Sequence, residues 1–486
     1  MNKRTSIGKN AILNATKAAL SVLFPLITYP YALRILGASN IGKVSYISSI
    51  ISYFAIVAAI GIGAYGVREG AKIRDNEVEL QEFVSEVFTI NVISTLITYI
   101  CLAAFSFIFL DNKEYAILML VLSTSILFTT FGVDWINALF EDYFFITVRS
   151  IVIHLVAMIF LFVLVRNKDD YYIYAMLQIL PNAIVCVSNW IYCKRYVKVR
   201  ITKSCKPNIH LKPMLVMLAG TITTSIYVNS DITMLGVFAN DYNVGLYTAS
   251  TKIYTVVKNI LAAVYSVAVP ALSFNIGAHN WKKSKELYSN IFGGISIILL
   301  PAVIGMFLLS SELMRVMGGS EYVEASISLK VLSLALLFAI YGGLITACLN
   351  IALGREKENL ISAAISALIN IVLNLIFIPM FGINGAAITT FLSEAFVLVF
   401  CLTRVPEKSR YMDTAFIFRE IRNALIGCTC MGCFVIFAKF LVSNMAVKVI
   451  ACVAGGATIY FIVELFLRDV IVLKYTQSIY NKKRNQ

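Results

Sequence analysis

The sequence predicts an all-α, polytopic membrane protein of about fourteen transmembrane helices. Three observations predict it. First, 59% of the 486 residues are hydrophobic and 14% are charged, against roughly 25% charged in a soluble domain. A mean hydropathy of +0.81 is more apolar surface than a soluble core can bury. Second, apolar windows of about 20 residues, the length that crosses a bilayer, recur along the whole chain. Third, the connections between them alternate between rich and poor in Lys and Arg, as the positive-inside rule requires.

The windows are 11–36, 41–66, 84–110, 115–139, 146–165, 171–193, 213–238, 245–273, 287–309, 325–351, 359–381, 384–405, 423–443 and 447–467. With both termini cytoplasmic, and basic residues at the span ends counted with the adjoining segments, the inside segments hold 29 of the 41 Lys and Arg residues, the outside segments 7 and the spans five. The basic N-terminus precedes a long span interrupted by Pro25 and Pro30, with no small-residue cleavage site, so it reads as a retained first span. Spans one and two are joined through Leu36-Gly37 and Ile41-Gly42, spans seven and eight through Leu235-Gly236 and Val244-Gly245. Aligning Gly42 on Gly245 sets Ser45, Ser48 and Ser52 on Thr248, Thr251 and Thr255. The repeat is then six spans, an even number, which relates two six-helix lobes by a pseudo-two-fold axis along the membrane normal. The expected organisation is an N-terminal lobe at 1–200, a C-terminal lobe at 201–405, and spans 13 and 14 with a basic cytoplasmic tail at 406–486.

Polar residues inside the spans are the candidates for function. In span one, Asn10, Asn14, Lys17, Ser21 and Thr28 share a helix face, with Lys17 within snorkelling reach of the headgroups. Span four closes with Asp134-Trp135; read as one helix, it sets Thr130, Asp134, Asn137 and Glu141 on one face. Asp134 there could bind a coupling cation or proton, pair with a lysine, or end the span; Trp135 reads as an interface anchor. His154 and Glu394 lie near mid-span, and Asp231 is placed to pair with Lys252. Asn370 and Asn374 read as a bridge between helices.

Span eight stands out. Tyr247, Thr251, Tyr254, Lys258 and Tyr265 fall on one helix face, and Thr248, Lys252, Thr255, Asn259 and Ser266 on the stripe beside it. A charge near the bilayer centre costs about 2.5–3.5 kcal/mol on insertion scales, so Lys258 needs a partner, a wet cavity or a role. The candidate substrate-binding set is Asn14, Lys17, Tyr247, Thr251, Lys252, Tyr254, Lys258 and Asn259. The candidate ion-coupling groups are Asp134, Asp231, Glu394 and His154.

Other chemistry fails on context. Gly61-Ile-Gly-Ala-Tyr-Gly66 spells a dinucleotide fingerprint but ends an apolar span and follows no strand. Cys428, Cys430 and Cys433 lie in an apolar stretch with no histidine near, which argues packing rather than zinc or redox chemistry. The net charge of +14 has no soluble basic domain to carry nucleic acid. No phosphate-binding loop for ATP and no catalytic set in a soluble cleft is present, so a non-enzyme without cofactor or metal is expected.

Several motifs together resemble a known family. Phe24-Pro-Leu-Ile-Thr-Tyr-Pro30 with Arg34-Ile-Leu-Gly37 and Ile41-Gly42-Lys-Val is similar to the opening of the Wzx-like polysaccharide flippases of the multidrug/oligosaccharidyl-lipid/polysaccharide exporter superfamily. Further matches in the same order are Tyr65-Gly66-Val-Arg68-Glu69, Asp134-Trp135, Glu141-Asp142-Tyr143, Val244-Gly-Leu-Tyr247, Pro270-Ala-Leu-Ser273 and Ile378-Pro379 with Gly382-Ile-Asn-Gly385. After Asp-Trp the family often carries Gln-Gly, where this chain has Ala138-Leu139. The resemblance implies a two-lobed bundle in the bacterial cytoplasmic membrane that works by alternating access. The implied cargo is an undecaprenyl-pyrophosphate-linked repeat unit of O-antigen or capsule, moved from the inner to the outer leaflet through a cationic central cavity. It implies coupling to an H+ or Na+ gradient or the membrane potential, with membrane lipids, a polysaccharide polymerase and chain-length machinery as partners. The rivals are a cation-coupled multidrug antiporter of the same superfamily, a membrane polysaccharide polymerase, which would need a sizeable outside loop, and a membrane scaffold, which would need no mid-span charge.

Overall fold

Apolar runs of this length fold as helices because a backbone in hydrocarbon must satisfy its polar groups within its own segment. The computed structural model describes residues 7–109, 112–140, 143–467, 469 and 471, with side chains from Phe24 onward except at 143, 144, 266 and 409, and contains no strand among them. Among the described residues thirteen stretches are long and apolar enough to cross a membrane. The first, Phe24–Ile73, has 50 residues, about 75 Å as straight helix against a hydrocarbon core of about 30 Å. It bends at Gly37 (φ 75°, ψ 170°), a conformation open to glycine alone. The helix behind it, Ile7–Ala59, therefore has two limbs, 7–36 and 38–59, each long enough to cross, which makes fourteen passes among the described residues.

By contacts the chain divides into two units, residues 1–245 and 246–486, one long helix beyond the charged loop at 194–212. The first unit contains α1 (Ile7–Ala59), α2 (Ile62–Ile73), α3 (Glu77–Phe109), α4 (Lys113–Gly132), α5 (Asp134–Leu139), α6 (Tyr143–Leu164), α7 (Tyr171–Tyr192) and α8 (Pro207–Phe238). In it α1 packs on α3, α4, α6 and α8, and α4 on α7. Helix α9 (Asp241–Ser266) starts at the division. The second unit continues with α10 (Val269–Gly277), α11 (Trp281–Leu308), α12 (Ser310–Gly318), α13 (Ser326–Gly343), α14 (Glu356–Phe381), α15 (Ile383–Arg404), α16 (Lys408–Tyr411), α17 (Thr414–Leu441) and α18 (Met445–Phe466). There α15 packs on α13 and α14, and α11 on α13 and α17.

Helix α3 shows that the solvent is lipid. Ile93, Leu96, Ile97 and Ile100 are exposed on one face, while Asn91, Ser94, Thr95 and Thr98 are buried on the other. That is inside-out for water and ordinary for a bilayer. The buried amide and hydroxyl have work at a helix end: Asn91 Nδ2 donates to Ala58 O at 2.8 Å and Ser94 Oγ to Val57 O at 2.9 Å. These are carbonyls of the last turn of α1, where helical partners run out; Val57 O also accepts from the Ile60 N–H at 3.2 Å. The same device recurs where Lys439 Nζ donates to Leu308 O at 2.9 Å and Arg355 Nη1 to Arg404 O at 2.8 Å, at the ends of α11 and α15.

Two sequence expectations change. Span four is not one helix: Val133 turns left-handed (φ 43°), α4 ends and α5 begins at Asp134. Thr130 and Asp134 therefore do not share a continuous face. Trp135 is not an interface anchor; it is 7% exposed, and its ring fills the space where Gly66 has no side chain. The motifs Tyr65-Gly66 and Asp134-Trp135 are thus one packing contact between α2 and α5.

Candidate functional site

Lys258 has a partner. Its Nζ lies 2.6 Å from Glu394 Oε1, which also accepts from Tyr254 Oη at 3.0 Å. Glu394 comes from α15 and the other two from α9, and the ammonium lies 5.4 Å from the Tyr254 ring centre. The Glu394 side chain is 7% exposed and that of Lys258 31%, so the acid is the buried member. Two turns before Tyr254 on α9 and one turn before Glu394 on α15, Tyr247 Oη lies 3.3 Å from Thr390 Oγ1. The tyrosine face of α9 therefore closes on its own unit: Tyr247, Tyr254 and Tyr265 are all buried. Thr251 is half-buried and bonds the Thr248 carbonyl. The neighbouring stripe is the accessible one, with Lys252 half-buried and Thr255 and Asn259 exposed.

In the first unit Asp134, at the start of α5, accepts from Arg149 Nη2 at 2.7 Å. Arg149, on α6, is the buried member, 8% exposed against 53% for Asp134. Its other arm reaches Asn189 Oδ1, which also accepts from Asn137 Nδ2 at 2.6 Å. Asn189 in turn donates to the Gly132 carbonyl at 2.6 Å. The break at Val133 is thus held by a polar network from α5, α6 and α7. Asp231 is buried in α8. His154 is half-buried; its Nδ1–H donates to Ser150 O at 2.6 Å and its ring packs edge-on against Phe24 at 4.8 Å. The side chains of Asn14 and Lys17 lie outside the described residues.

A third cluster was missed by the sequence reading. His210 at the start of α8 bridges Tyr65 of α2 and Glu86 of α3: Tyr65 Oη donates to Nδ1 at 2.7 Å, and Nε2–H donates to Glu86 Oε2 at 2.7 Å. All three are buried. The available signal was an acid inside an apolar window, the one that singled out Glu394. Arg149 was missed because it was counted with the loop ahead of it. Among the described residues no group of three His, Cys, Asp or Glu side chains could hold a metal ion, and all ten cysteines are free.

Membrane-length helices, lipid-facing apolar stripes and in-span charges held as pairs define a multi-pass membrane protein. Solved structures give the class of fold. A lipid II flippase MurJ in an inward closed conformation superposes with a TM-score of 0.73 at 17% identity, covering 95% of this chain and 99% of that one. An inward-facing multidrug resistance MATE family transporter of the MOP superfamily superposes at 0.57 with 16% identity, covering 79% and 97%. The fold is like that of these two proteins. The chain belongs to the family described as "Polysaccharide biosynthesis protein", which matches residues 7–275. It is 24% identical over 412 residues to a "Putative O-antigen transporter" of Escherichia coli K12, covering 81% of this chain and 95% of that protein.

Proposed function

We propose that this protein flips lipid-linked glycans across the bacterial cytoplasmic membrane. The cargo on this reading is an oligosaccharide repeat unit on undecaprenyl pyrophosphate, moved from the inner to the outer leaflet for cell-surface polysaccharide. Family membership and the transporter and flippase names of similar proteins support it. The observation that carries the mechanism is the Lys258–Glu394 pair. A lysine held by a single acid inside a span is a cation that can be released: a pyrophosphate arriving at Lys258 competes with Glu394, and a proton taken up by Glu394 ends its claim on the ammonium. Lys252 and Asn259, on the accessible stripe of the same helix, add a second cation and an amide for the charged head and its sugars. Glu394 is then the coupling acid and the proton the coupling ion.

The test is leaflet-resolved transport of a defined lipid-linked glycan in proteoliposomes, with and without an imposed pH gradient. Wild type should exceed empty liposomes and respond to the gradient. Lys258→Ala should lose transport while still inserting in the membrane, and Glu394→Gln should lose the response to the gradient. Wild-type rates equal to those of empty liposomes would sink the flippase reading. Normal transport by Lys258→Ala would remove Lys258 from the site.

A further inference from the structure

The segment between α7 and α8 is the most basic connection of the first unit, with Lys194, Arg195, Lys198, Arg200, Lys203 and Lys206 in thirteen residues, 194–206. Setting topology requires only that these charges be present. It does not require that they be held in place, and here the backbone beneath them is held at several points. The Gln81 side chain of α3 grips Lys198 as a neighbouring strand would: Lys198 N–H donates to Gln81 Oε1 at 2.9 Å, and Gln81 Nε2 donates back to the Lys198 carbonyl. Thr202 N–H donates to Thr89 Oγ1 at 3.0 Å, and Cys205 Sγ to the Glu86 carbonyl at 3.6 Å. The Tyr196 ring stacks on Phe140 at 4.1 Å. Val197 enters the apolar cluster that contains Trp135 and Phe88, and Val199 packs against it. Lys198 and Arg200 are left exposed.

Lys194, Lys198 and Arg200 line a cavity of about 270 Å³ whose other walls are Val133, Trp190, Cys193, Val197 and Val199. None of the three forms an ion pair among the described residues. The acids nearby are engaged elsewhere, Glu82 with Lys206 at 3.4 Å and Glu86 with His210 at 2.7 Å. A second cavity of about 320 Å³ shares Arg200 but is lined by Glu82 and Glu86, which suits no anion. The first is smaller than the roughly 300–1,000 Å³ of pockets for drug-sized ligands, so a phosphate group fits its size better than a sugar chain. An indole and three valines beside three unpaired cations match the boundary between a headgroup and its acyl or prenyl chain.

We propose that this cavity binds the phosphate of a lipid headgroup at the cytoplasmic face. The proposal rests on the chain lying in a membrane and not on its cargo. Two sources carry this chemistry, a bulk anionic phospholipid and a prenyl pyrophosphate. The test measures binding of short-chain phosphatidylglycerol, short-chain phosphatidylcholine, a short prenyl pyrophosphate and inorganic phosphate to the full-length protein in neutral detergent, at low and high salt. Phosphatidylglycerol or the prenyl pyrophosphate should bind roughly tenfold or more tightly than phosphatidylcholine, and added salt should weaken the binding. The Lys198→Ala/Arg200→Ala variant should lose this preference. Lys198→Arg should keep it, and so should Lys206→Ala, whose side chain lies outside the cavity; these two also control for folding. Binding by phosphatidylglycerol identifies bulk lipid as the source, and binding by the prenyl pyrophosphate alone identifies the cargo lipid. Equal binding of all lipids, unchanged in the double variant, would overturn the site. Inorganic phosphate binding as tightly as either anionic lipid would overturn its assignment to lipid.

Discussion

Lys258 and Glu394 are 136 residues apart in sequence and 2.6 Å apart in space. Their unequal burial predicts unequal responses to mutation. Removing the lysine leaves a nearly buried carboxylate with only the Tyr254 hydroxyl, and stranding a buried charge costs roughly 3–5 kcal/mol. Glu394→Gln keeps an acceptor for Tyr254 and frees a lysine that is only partly buried, so its cost is smaller. Thermal unfolding in detergent should rank Lys258→Ala well below Glu394→Gln, and the double variant should recover part of the loss. Equal melting temperatures for the two single variants would show that the pair is not the buried contact described. Arg149, at 8% exposure, is the mirror case, in which the cation is the buried partner and Asp134 the accessible one.

At the scale of elements, the glycines of the repeated Gly42 and Gly245 motif mark close contact between α1 and the start of α9. A Cβ on Gly42 would lie 1.7 Å from the Asp241 carbonyl oxygen, and one on Gly245 would lie 1.9 Å from that of Ala38. Backbone atoms cannot rotate aside, so Gly42→Ala and Gly245→Ala should each cost at least the roughly 1–3 kcal/mol of overpacking. Gly220, inside α8, meets nothing within 4 Å. Gly220→Ala should stabilise by up to about 1 kcal/mol, because alanine favours the helix. Denaturant titration of the three variants checks both signs, and a stable Gly42→Ala would contradict the packing. Sequence alignment paired these glycines as copies of one motif, but not as neighbours: a Cβ on Gly42 would also lie 2.9 Å from the Gly245 nitrogen. Periodicity reports positions along one helix, and contact between two helices lies outside it.

For the whole molecule, the excess of Lys and Arg on one side predicts both termini in the cytoplasm. A phosphatase fused after residue 486 should be inactive, and one inserted in the 310–324 connection active; the reverse pattern would invert the orientation and place the basic 194–206 segment outside. Hydropathy determined the all-helical class and the spans, because lipid forces each crossing segment to satisfy its own backbone, and that requirement is written in local composition. It also marked Lys258 and Glu394 as costly. It did not separate the buried tyrosine face of α9 from the accessible stripe beside it, because tyrosine and threonine suit a packed interface and a wet one alike. The break at Val133 was hidden for a related reason: a left-handed residue leaves no mark on apolar periodicity. Which charges neutralise one another, Lys258 with Glu394 and Asp134 with Arg149, was decided only by tertiary structure. Coulomb attraction in a low-dielectric interior depends on distance across the fold, and sequence separation does not give that distance.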